Sequence, residues 1–342
     1  MKHHVLVRRA AVLFGLLLSL TAPQGLRAQA DHTARLVEGA KKEGKLVWYT
    51  SMNITESKPL LDDFEKQYPF IKTDLFRASG EKIQNRVVTE VRAGRWDFDL
   101  AAISEIGTLV EHKAIGPYVS PESKAYIKEL KDAEGGYWTG IYTNYFVPGY
   151  NTRMVSAAEA PKRWEDFLDP KWKGKISIDQ EEYPWYVTLL AAWGKERTDK
   201  YMGALAKQGI QWRKGHTLIA QLMGAGEFPL AIVYAHRVES DRKKGAPIDW
   251  VNTVDPIVVS VNSVGLSAKP NNPNAAKLFI DFVLSKKSQE KIRSYNRVPA
   301  RADVEPPSPK MEQSKLKLRV VPHDTATRYN EYVRDFRAIF GL

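Results

Sequence analysis

The sequence contains no cysteine. This excludes disulfide bonds, thiolate metal sites, a cysteine nucleophile and a lipid-anchored N-terminal cysteine. Histidine is scarce, with seven residues, and the sequence has neither an H-x-x-x-H pair on a helix nor a G-x-S-x-G turn. Gly224-Ala225-Gly226 lacks the third glycine of a dinucleotide-binding turn, so no cofactor is predicted. These absences disfavour an enzyme and leave a secreted hydrolase as a remote alternative.

Long hydrophobic runs are missing except near the N-terminus. A basic segment precedes the apolar residues 10–20, and an A-x-A cleavage motif follows at 28–30. This apolar run is too short to span a bilayer. Residues 1–30 are therefore predicted to be a cleavable signal peptide, and the general secretory route is favoured because the surroundings of Arg8-Arg9 fit the twin-arginine motif poorly. The mature protein is expected to begin near Asp31, free in the periplasm.

The charge balance is mildly basic. The formal charge is +11, and removal of the signal peptide with its four basic residues leaves +7. This suits an anionic ligand or an acidic docking partner. Nucleic acid is disfavoured because basic residues are scattered among acidic ones and no nucleic-acid motif occurs. The length allows two domains, and a monomer is expected.

Hydrophobic periodicity predicts an α/β fold. Strands alternate with helices of about a dozen residues between 31 and 112, as in βαβ units with a parallel sheet. The aromatic-rich segment 137–150 is predicted to be extended and to cross between two lobes, and a strand at 258–267 could return. A long helix is predicted at 274–293 and a terminal helix at 326–339.

The segment that begins at Gly226 provides the main candidate site. Leu230–Val233 has the length and β-branched content of a buried strand, and Tyr234, His236 and Arg237 follow it. Ligands of open α/β sheets bind beyond the carboxyl ends of the strands, so these side chains could form a ligand wall. The alternative is ordinary packing of the two rings and a salt bridge from Arg237.

A second candidate group precedes the helix predicted at 81–93. Arg77, Ser79 and Gly80 would place a guanidinium and free backbone N–H groups beside a helix N-terminus, which favours an anion. The alternative for Ser79 is simple N-capping.

Three polar residues at the tip of the first strand and one aromatic residue complete the prediction. Thr50, Ser51 and Asn53 could supply first-lobe contacts, or they could form a solvated turn. Tyr183 could line the second-lobe wall, whereas Trp185 is expected in the core.

Several motifs resemble the ferric-ion and related periplasmic substrate-binding proteins of ABC transporters, which are family 1 extracellular solute-binding proteins. They are Lys45-Leu46-Val47-Trp48-Tyr49, Ser79-Gly80, Leu168-Asp169-Pro170-Lys171-Trp172-Lys173-Gly174-Lys175-Ile176, Ala225-Gly226-Glu227-Phe228-Pro229, the 273–282 segment and Val298-Pro299-Ala300-Arg301. The resemblance implies a two-lobed type 2 periplasmic-binding architecture with a hinge and an interlobe cleft. It also implies that the closed protein presents a solute to an inner-membrane ABC permease.

This resemblance also implies a division of the chain. The first lobe is expected to comprise 31–147 plus 255–305. The second lobe is expected to comprise 148–254 plus 306–342, including the C-terminal helix.

The family's ferric ligands are only partly matched. The position of its histidine falls near Asn53, and that of its glutamate falls near Ser104 and Glu105. Its tyrosine pair aligns with residues 235–237, which leaves only Tyr234 as a metal ligand if iron is bound. Arg237 would repel a bare trivalent cation. The transported solute is therefore expected to be a ferric complex or a small anionic organic or phosphorylated molecule.

Overall fold

The structure is a computed structural model that describes residues 24–322 and 328–342. Most of the predicted signal peptide, residues 1–23, lies outside the described residues. The first described helix, α1, begins at Gln24 rather than at the predicted Asp31. Alanine, glutamine and arginine are good helix formers, so the sequence before Asp31 continues the helix without interruption.

The first lobe is built on three parallel strands in the order β2-β1-β3. Helices follow the strands in alternation, as predicted. The strands are β1 (Lys45–Thr50), β2 (Lys72–Arg77) and β3 (Leu100–Ile103), and the helices are α1 (Gln24–Glu43), α2 (Ile54–Gln67), α3 (Gly80–Arg92) and α4 (Ile106–Glu111). A two-residue strand, β4 (Ile115–Gly116), follows α4.

Two long antiparallel strands connect the lobes. These are β5 (Thr139–Asn151) and β10 (Ile257–Ser267), and every residue in both is buried. In the first lobe β10 pairs with β3, and in the second lobe β5 pairs with β8. A register shift interrupts their pairing at Asn262/Ser263. One sheet therefore runs through both lobes, with this strand pair at its centre.

The second lobe places β6 between the parallel neighbours β7 and β8. Its strands are β6 (Ile176–Asp179), β7 (Gln211–Arg213), β8 (Leu230–Tyr234) and β9 (Ile248–Trp250), and its helices are α5 (Tyr183–Trp193), α6 (Lys195–Ala206), α7 (His216–Ala225) and α8 (Ala235–Arg242). Helix α8 begins at Ala235, immediately after the last residue of β8. His236 and Arg237 therefore lie in the first turn of a helix.

The C-terminal part contains α9 (Pro273–Leu284), α10 (Lys286–Ser294), β11 (Val298–Pro299), β12 (Leu318–Val320) and α11 (Tyr329–Phe340). The single helix predicted at 274–293 was wrong in one respect, because Ser285 separates α9 from α10. Ser285 has an extended backbone and its hydroxyl accepts a hydrogen bond from Ser288 N, so it is the N-cap of a new helix.

The second lobe has one apolar core, whereas the first lobe has two separate apolar clusters. Tyr142 and Val261 pack in the larger cluster of the first lobe, whereas Phe146 and Val258 pack in the second-lobe core. Each connecting strand thus contributes side chains to the cores of both lobes within a few residues. The exact lobe boundaries remain a prediction. Among the described residues, no helix combines the length and apolar character that a membrane span requires.

Candidate solute-binding cleft

A polar cleft of about 660 Å³ lies between the lobes. Residues that follow the carboxyl ends of β1, β2, β3, β6 and β8 line it, as do the N-termini of the helices after those strands. This is the edge at which open α/β sheets bind ligands.

Arg77 shapes the first-lobe wall at the end of β2. Its guanidinium donates to the backbone oxygens of Met52 and Ser51 at 3.4 and 3.5 Å, and to Asn53 Oδ1 at 3.3 Å. The Ser51 hydroxyl in turn accepts a hydrogen bond from Asn262 of β10 at 3.0 Å. These contacts hold Arg77 toward the cleft with hydrogen-bonding capacity left for a ligand.

The N-terminus of α3 lies beside Arg77. Ser79 is its N-cap, and its hydroxyl accepts from Lys82 N at 3.4 Å, so the capping interpretation is correct while the residue also lines the cleft. Gly80 leaves room for Glu105, because a Cβ at Gly80 would lie 2.3 Å from Glu105 Oε2. Gly80 and Glu105 therefore form one closely packed unit.

Glu105 is an unsatisfied carboxylate in the first-lobe wall. Its Oε2 is buried and has no hydrogen-bond partner among the described residues. Burial raises the pKa of Glu105 to about 7, and the nearby carboxylates of Glu181 and Glu81 add to the increase. This oxygen can accept a hydrogen bond from a ligand.

In the second-lobe wall, the N-termini of α7 and α8 open toward the cleft. Gly215 precedes α7 and Tyr234 precedes α8, and neither provides a side-chain cap. The first backbone N–H groups of a helix have no partner within the helix, and they favour a negative charge. His216, Thr217, His236 and Arg237 come from these two first turns and line the cleft.

Aromatic rings anchor this wall. Tyr234 stacks on His216 with ring centroids 3.6 Å apart, and its ring also lies 5.6 Å from that of His236. Phe146 packs edge-on against Tyr234 at 5.0 Å. Burial, with the carboxylates of Glu182 and Asp179, raises the pKa of the Tyr234 phenol well above its ordinary value. Tyr234 therefore stays protonated at neutral pH.

The His216 ring of this group also lies beside two acidic residues. Its Nε2 is 3.3 Å from Glu182 Oε2 and 3.9 Å from Asp179 Oδ2. Burial opposes a charge on His216, but the two carboxylates outweigh it and raise the pKa of the imidazole. Burial also raises the pKa of Glu182, to about 7.

Arg297 forms the floor of the cleft beside the connecting strands. It is 4% exposed and donates to Glu56 at 2.9 Å and to Asn144 Oδ1 at 2.6 Å. Its guanidinium lies over the Tyr142 ring at 4.4 Å, and its Nη1 lies 3.5 Å from His236 Nδ1. Burial, together with this neighbouring positive charge, lowers the pKa of His236 well below its usual value. His236 is therefore neutral and serves as an acceptor for Arg297.

Arg237 forms a salt bridge within α8. Its Nε donates to Asp241 Oδ2 at 3.1 Å, and its Nη2 contacts the other oxygen of the same carboxylate. The salt-bridge alternative for Arg237 is thus correct, although the residue still borders the cleft.

The lobes contact each other across the cleft. Asn53 Nδ2 lies 3.5 Å from Thr217 Oγ1, and Arg337 of α11 lies 3.6 Å from Glu81 at the start of α3. Burial and the Glu181 carboxylate of the second lobe raise the pKa of Glu81. The structure therefore shows a closed arrangement in which both walls can contact one ligand.

Nine of the eleven predicted site residues line this cleft. They are Ser51, Asn53, Arg77, Ser79, Gly80, Glu105, Tyr234, His236 and Arg237.

Thr50 and Tyr183 are the two exceptions. Thr50 is fully buried, and its hydroxyl donates to Ala102 O and accepts from Met52 N, so it stabilises the strand end. Tyr183 accepts a hydrogen bond from Arg337 at 3.1 Å and borders an adjacent cavity of about 230 Å³ instead.

Sequence reasoning missed several cleft residues. They include Glu81, Lys82, Tyr142, Asn144, Asp179, Glu181, Lys214, His216, Thr217, Asn262, Arg297 and Tyr329. The residues after β6 and β7 could have been found by the strand-end rule that identified Tyr234. Arg297 carries no such signal, because it reaches the cleft from the segment after α10.

Comparisons with known proteins agree with this architecture. The family model for bacterial extracellular solute-binding proteins matches residues 60–317. The Fe(3+)-binding periplasmic protein of Serratia marcescens is 24% identical over 289 residues, which cover 82% of this chain and 85% of that protein.

Two solved structures are similar over nearly their whole length. The periplasmic binding protein AfuA from Actinobacillus pleuropneumoniae, with fructose-6-phosphate bound, has a TM-score of 0.79 and 22% identity, covering 87% of this chain and 99% of its own. Iron-bound HitA from Pseudomonas aeruginosa has a TM-score of 0.76 and 16% identity, covering 85% and 99%. These similarities confirm the predicted two-lobed α/β fold.

Proposed function

Because the chain belongs to the family of bacterial extracellular solute-binding proteins, we propose that its cleft captures a small phosphorylated organic solute. The predicted class, the solute-binding component of an ABC importer in the iron(III)-transport type family, is confirmed. The solute itself is the subject of the proposal.

The observation that carries the proposal is the convergence of three helix N-termini with Arg77 in one cleft. The uncapped first turns of α7 and α8 come from the second lobe, and the first turn of α3 comes from the first lobe. Backbone N–H groups and a guanidinium are the donors that phosphate oxygens prefer. An anion bound there would contact both lobes and so favour closure.

Hydrogen-bond acceptors in the same cleft could bind the hydroxyl groups of a phosphorylated solute. Glu105 Oε2 and Asn262 Oδ1 are buried without hydrogen-bond partners among the described residues. Hydroxyl groups of a sugar or polyol would satisfy them, and a missing donor would leave them unpaired at a cost of about 1–3 kcal/mol. The fructose-6-phosphate held by the similar AfuA structure has this combination of groups.

A ferric solute is the second candidate, because the Serratia relative and HitA are iron-binding proteins. The cleft has Tyr234 but no adjacent tyrosine pair, and the raised pKa of Tyr234 opposes the phenolate that iron requires. Arg77 and Arg297 add positive charge. Iron would therefore enter as an anionic complex, with the ferric ion as transported cargo and no resident cofactor.

A ligand panel tests these alternatives. The purified protein would be screened by thermal shift against sugar phosphates, glycerol phosphate, inorganic phosphate, phosphonates, carboxylates and ferric citrate. We expect sugar phosphates to give the largest stabilisation, and Arg77→Ala to weaken their binding at least about tenfold, or 1.4 kcal/mol. Arg92→Ala, at the exposed end of α3, is the matched control.

The same screen would also detect direct iron binding. Stabilisation by ferric citrate alone, with a visible tyrosinate-to-iron absorption band, would replace the phosphate proposal with direct iron binding through Tyr234. Because Arg237 is bound to Asp241, we expect Arg237→Ala to weaken anion binding less than Arg77→Ala does.

The cellular setting forms part of the same proposal. The family is extracellular, and the sequence pattern at 1–30 supports export through a cleavable signal and a free periplasmic protein. We propose that the closed, loaded monomer docks on an inner-membrane ABC permease, with no role for catalysis or nucleic acid.

A further inference from the structure

Asp179, Glu182 and His216 form a buried cluster behind the second-lobe wall, which we term the carboxylate–histidine cluster. One oxygen from each carboxylate and one imidazole nitrogen lie within 4.8 Å of one another. All three residues are at least nine-tenths buried, at 6%, 0% and 8% exposed. Two carboxylates and an imidazole nitrogen that converge in this way constitute a typical donor set for a divalent metal.

Glu182 provides an independent indication of a missing partner. It is fully buried, and neither of its carboxylate oxygens has a hydrogen-bond partner among the described residues. His216 Nε2 lies 3.3 Å from Oε2, which is an ion-pair contact without the alignment of a hydrogen bond, and Oε1 has no hydrogen-bond partner among the described residues. Buried carboxylates are normally hydrogen-bonded, paired or bound to a metal. Glu182 therefore points to a cation that would occupy the cluster.

We propose that the carboxylate–histidine cluster binds one divalent transition-metal ion, preferentially zinc. Zinc accepts imidazole nitrogen and carboxylate oxygen at about 2.0–2.2 Å in a tetrahedron. The ligand atoms of such a tetrahedron are about 3.4 Å apart, which matches the 3.3 Å and 3.9 Å separations around His216 after small shifts. A doubly charged ion also balances the two carboxylates.

The surroundings of Asp179 support this assignment. Its Oδ1 accepts from Glu181 N at 3.0 Å and its Oδ2 from Gly215 N at 2.8 Å. Such backbone hydrogen bonds orient a metal-binding carboxylate. Because Asp179 and His216 also line the cleft, the fourth coordination position would face the solute. Direct coordination of a solute phosphate by the metal rests on the proposed function, whereas metal binding itself does not.

Metal binding can be measured without any solute. Untagged protein, stripped with chelator, would be titrated with ZnCl2 by calorimetry in a buffer free of phosphate and citrate. We expect one equivalent to bind and Co²⁺ to produce the visible bands of a tetrahedral site. Glu182→Gln and His216→Gln should each weaken zinc binding by at least about 100-fold. The exposed control variants Glu111→Gln and His112→Gln should bind zinc as the unmodified protein does.

The variants keep the test decisive. Glu182→Gln removes a buried charge at constant size, so it should fold, and circular dichroism would verify this. Should it misfold, Asp179→Asn keeps an acceptor for Gly215 and replaces it. Absence of zinc binding, or binding that survives these substitutions, would overturn the proposal.

The metal and solute proposals fail separately. Stabilisation by sugar phosphates in fully stripped protein without zinc binding would leave the proposed function intact and remove the metal site. Zinc binding without any response to phosphate esters would do the reverse. Zinc binding together with phosphate affinity that increases with zinc would support both proposals and place the phosphate on the metal.

Discussion

At the scale of single residues, the position of the Glu105 carboxylate requires a glycine at residue 80. A Cβ at Gly80 would collide with Glu105 Oε2 at 2.3 Å, so any larger residue must displace that carboxylate. The backbone of Gly80 is ordinary helix, and its substitution carries no conformational penalty of its own. The constraint comes only from the neighbouring acid.

We therefore expect Gly80→Ala to weaken solute binding about tenfold, or 1.4 kcal/mol, while the melting temperature changes little. The physical reason is displacement of Glu105 from the first-lobe wall. Calorimetry of Gly80→Ala, Glu105→Ala and the double variant measures this coupling. If Gly80→Ala were equally harmful in the Glu105→Ala background, the clash would not be the cause.

The raised pKa of Glu105 predicts a pH-dependent stability. Its ordinary value is 4.5 and its folded value is about 7, so ionisation is easier in the unfolded chain. Below about pH 4.5 the carboxyl is protonated in both states and does not reduce the free energy of unfolding. That free energy falls as the pH rises from about 4.5 through about 7, because ionisation then favours the unfolded chain. At pH 8 the loss is at most about 3 kcal/mol.

Glu105→Gln should consequently raise the melting temperature at pH 8 and change it little at pH 5. Thermal unfolding of both proteins across this range measures the difference, with the exposed Glu111→Gln of the same helix as control. An equal gain at both pH values would indicate improved packing rather than relief of a buried charge.

At the scale of elements, α11 joins the second lobe to the cleft. Phe336 and Tyr329 pack in the second-lobe core. Arg337 contacts Tyr183 within this lobe and Glu81 of the first lobe. This helix was predicted from its periodicity. Its contact with α3 was not, because the sequence carries no information on which distant helix faces it.

Arg337→Ala should weaken solute binding, because the contact with Glu81 across the cleft is lost. The variant also loses the hydrogen bond to Tyr183 within the second lobe, so its melting temperature is measured as well. The pair is half exposed, so its worth is below about 1 kcal/mol, or at most about fivefold in affinity. Affinity measured at low and high salt tests this, because screening should remove the difference. Arg334→Ala, on the exposed face of α11, should have no effect at either salt concentration.

The first residue of each helix was the structural feature that the sequence predicted least well. Strand β8 was predicted within one residue, but α8 begins at Ala235, immediately after the strand. Alanine tolerates this early start, and it turns His236 and Arg237 into first-turn residues. His216 likewise lies in the first turn of its helix, because α7 begins at this residue. Predicting such residues requires helix boundaries more exact than periodicity provides.

At the scale of the whole molecule, β5 and β10 combine two roles. They connect the lobes, and they place Asn144 and Asn262 at the cleft floor. The alternation of strands and helices between 31 and 112 predicted an α/β fold, and the resemblance to solute-binding proteins implied the two lobes. The position of the floor, including Arg297, depends on packing between segments about 150 residues apart and could not be inferred from local sequence.

Linking Asn53 to Thr217 should lock the closed form, because their side chains are 3.5 Å apart across the cleft. Since the chain has no cysteine, the double variant Asn53→Cys with Thr217→Cys would contain the only two thiols. A short bifunctional thiol reagent added to loaded protein should slow solute release strongly, as measured after dilution. Each single variant serves as control, and unchanged release after verified cross-linking would exclude closure as the gate.

The course of α11 also provides an attachment position for optical detection. The helix ends at Phe340, Gly341 adopts a left-handed turn, and Leu342 is exposed five residues beyond the interlobe contact of Arg337. Because Leu342 N donates a hydrogen bond to Arg337 O, a fluorophore attached at Leu342 would lie close to the residue that contacts Glu81 across the cleft. Its emission would respond to lobe movement, which makes this protein a ready scaffold for a reagentless biosensor.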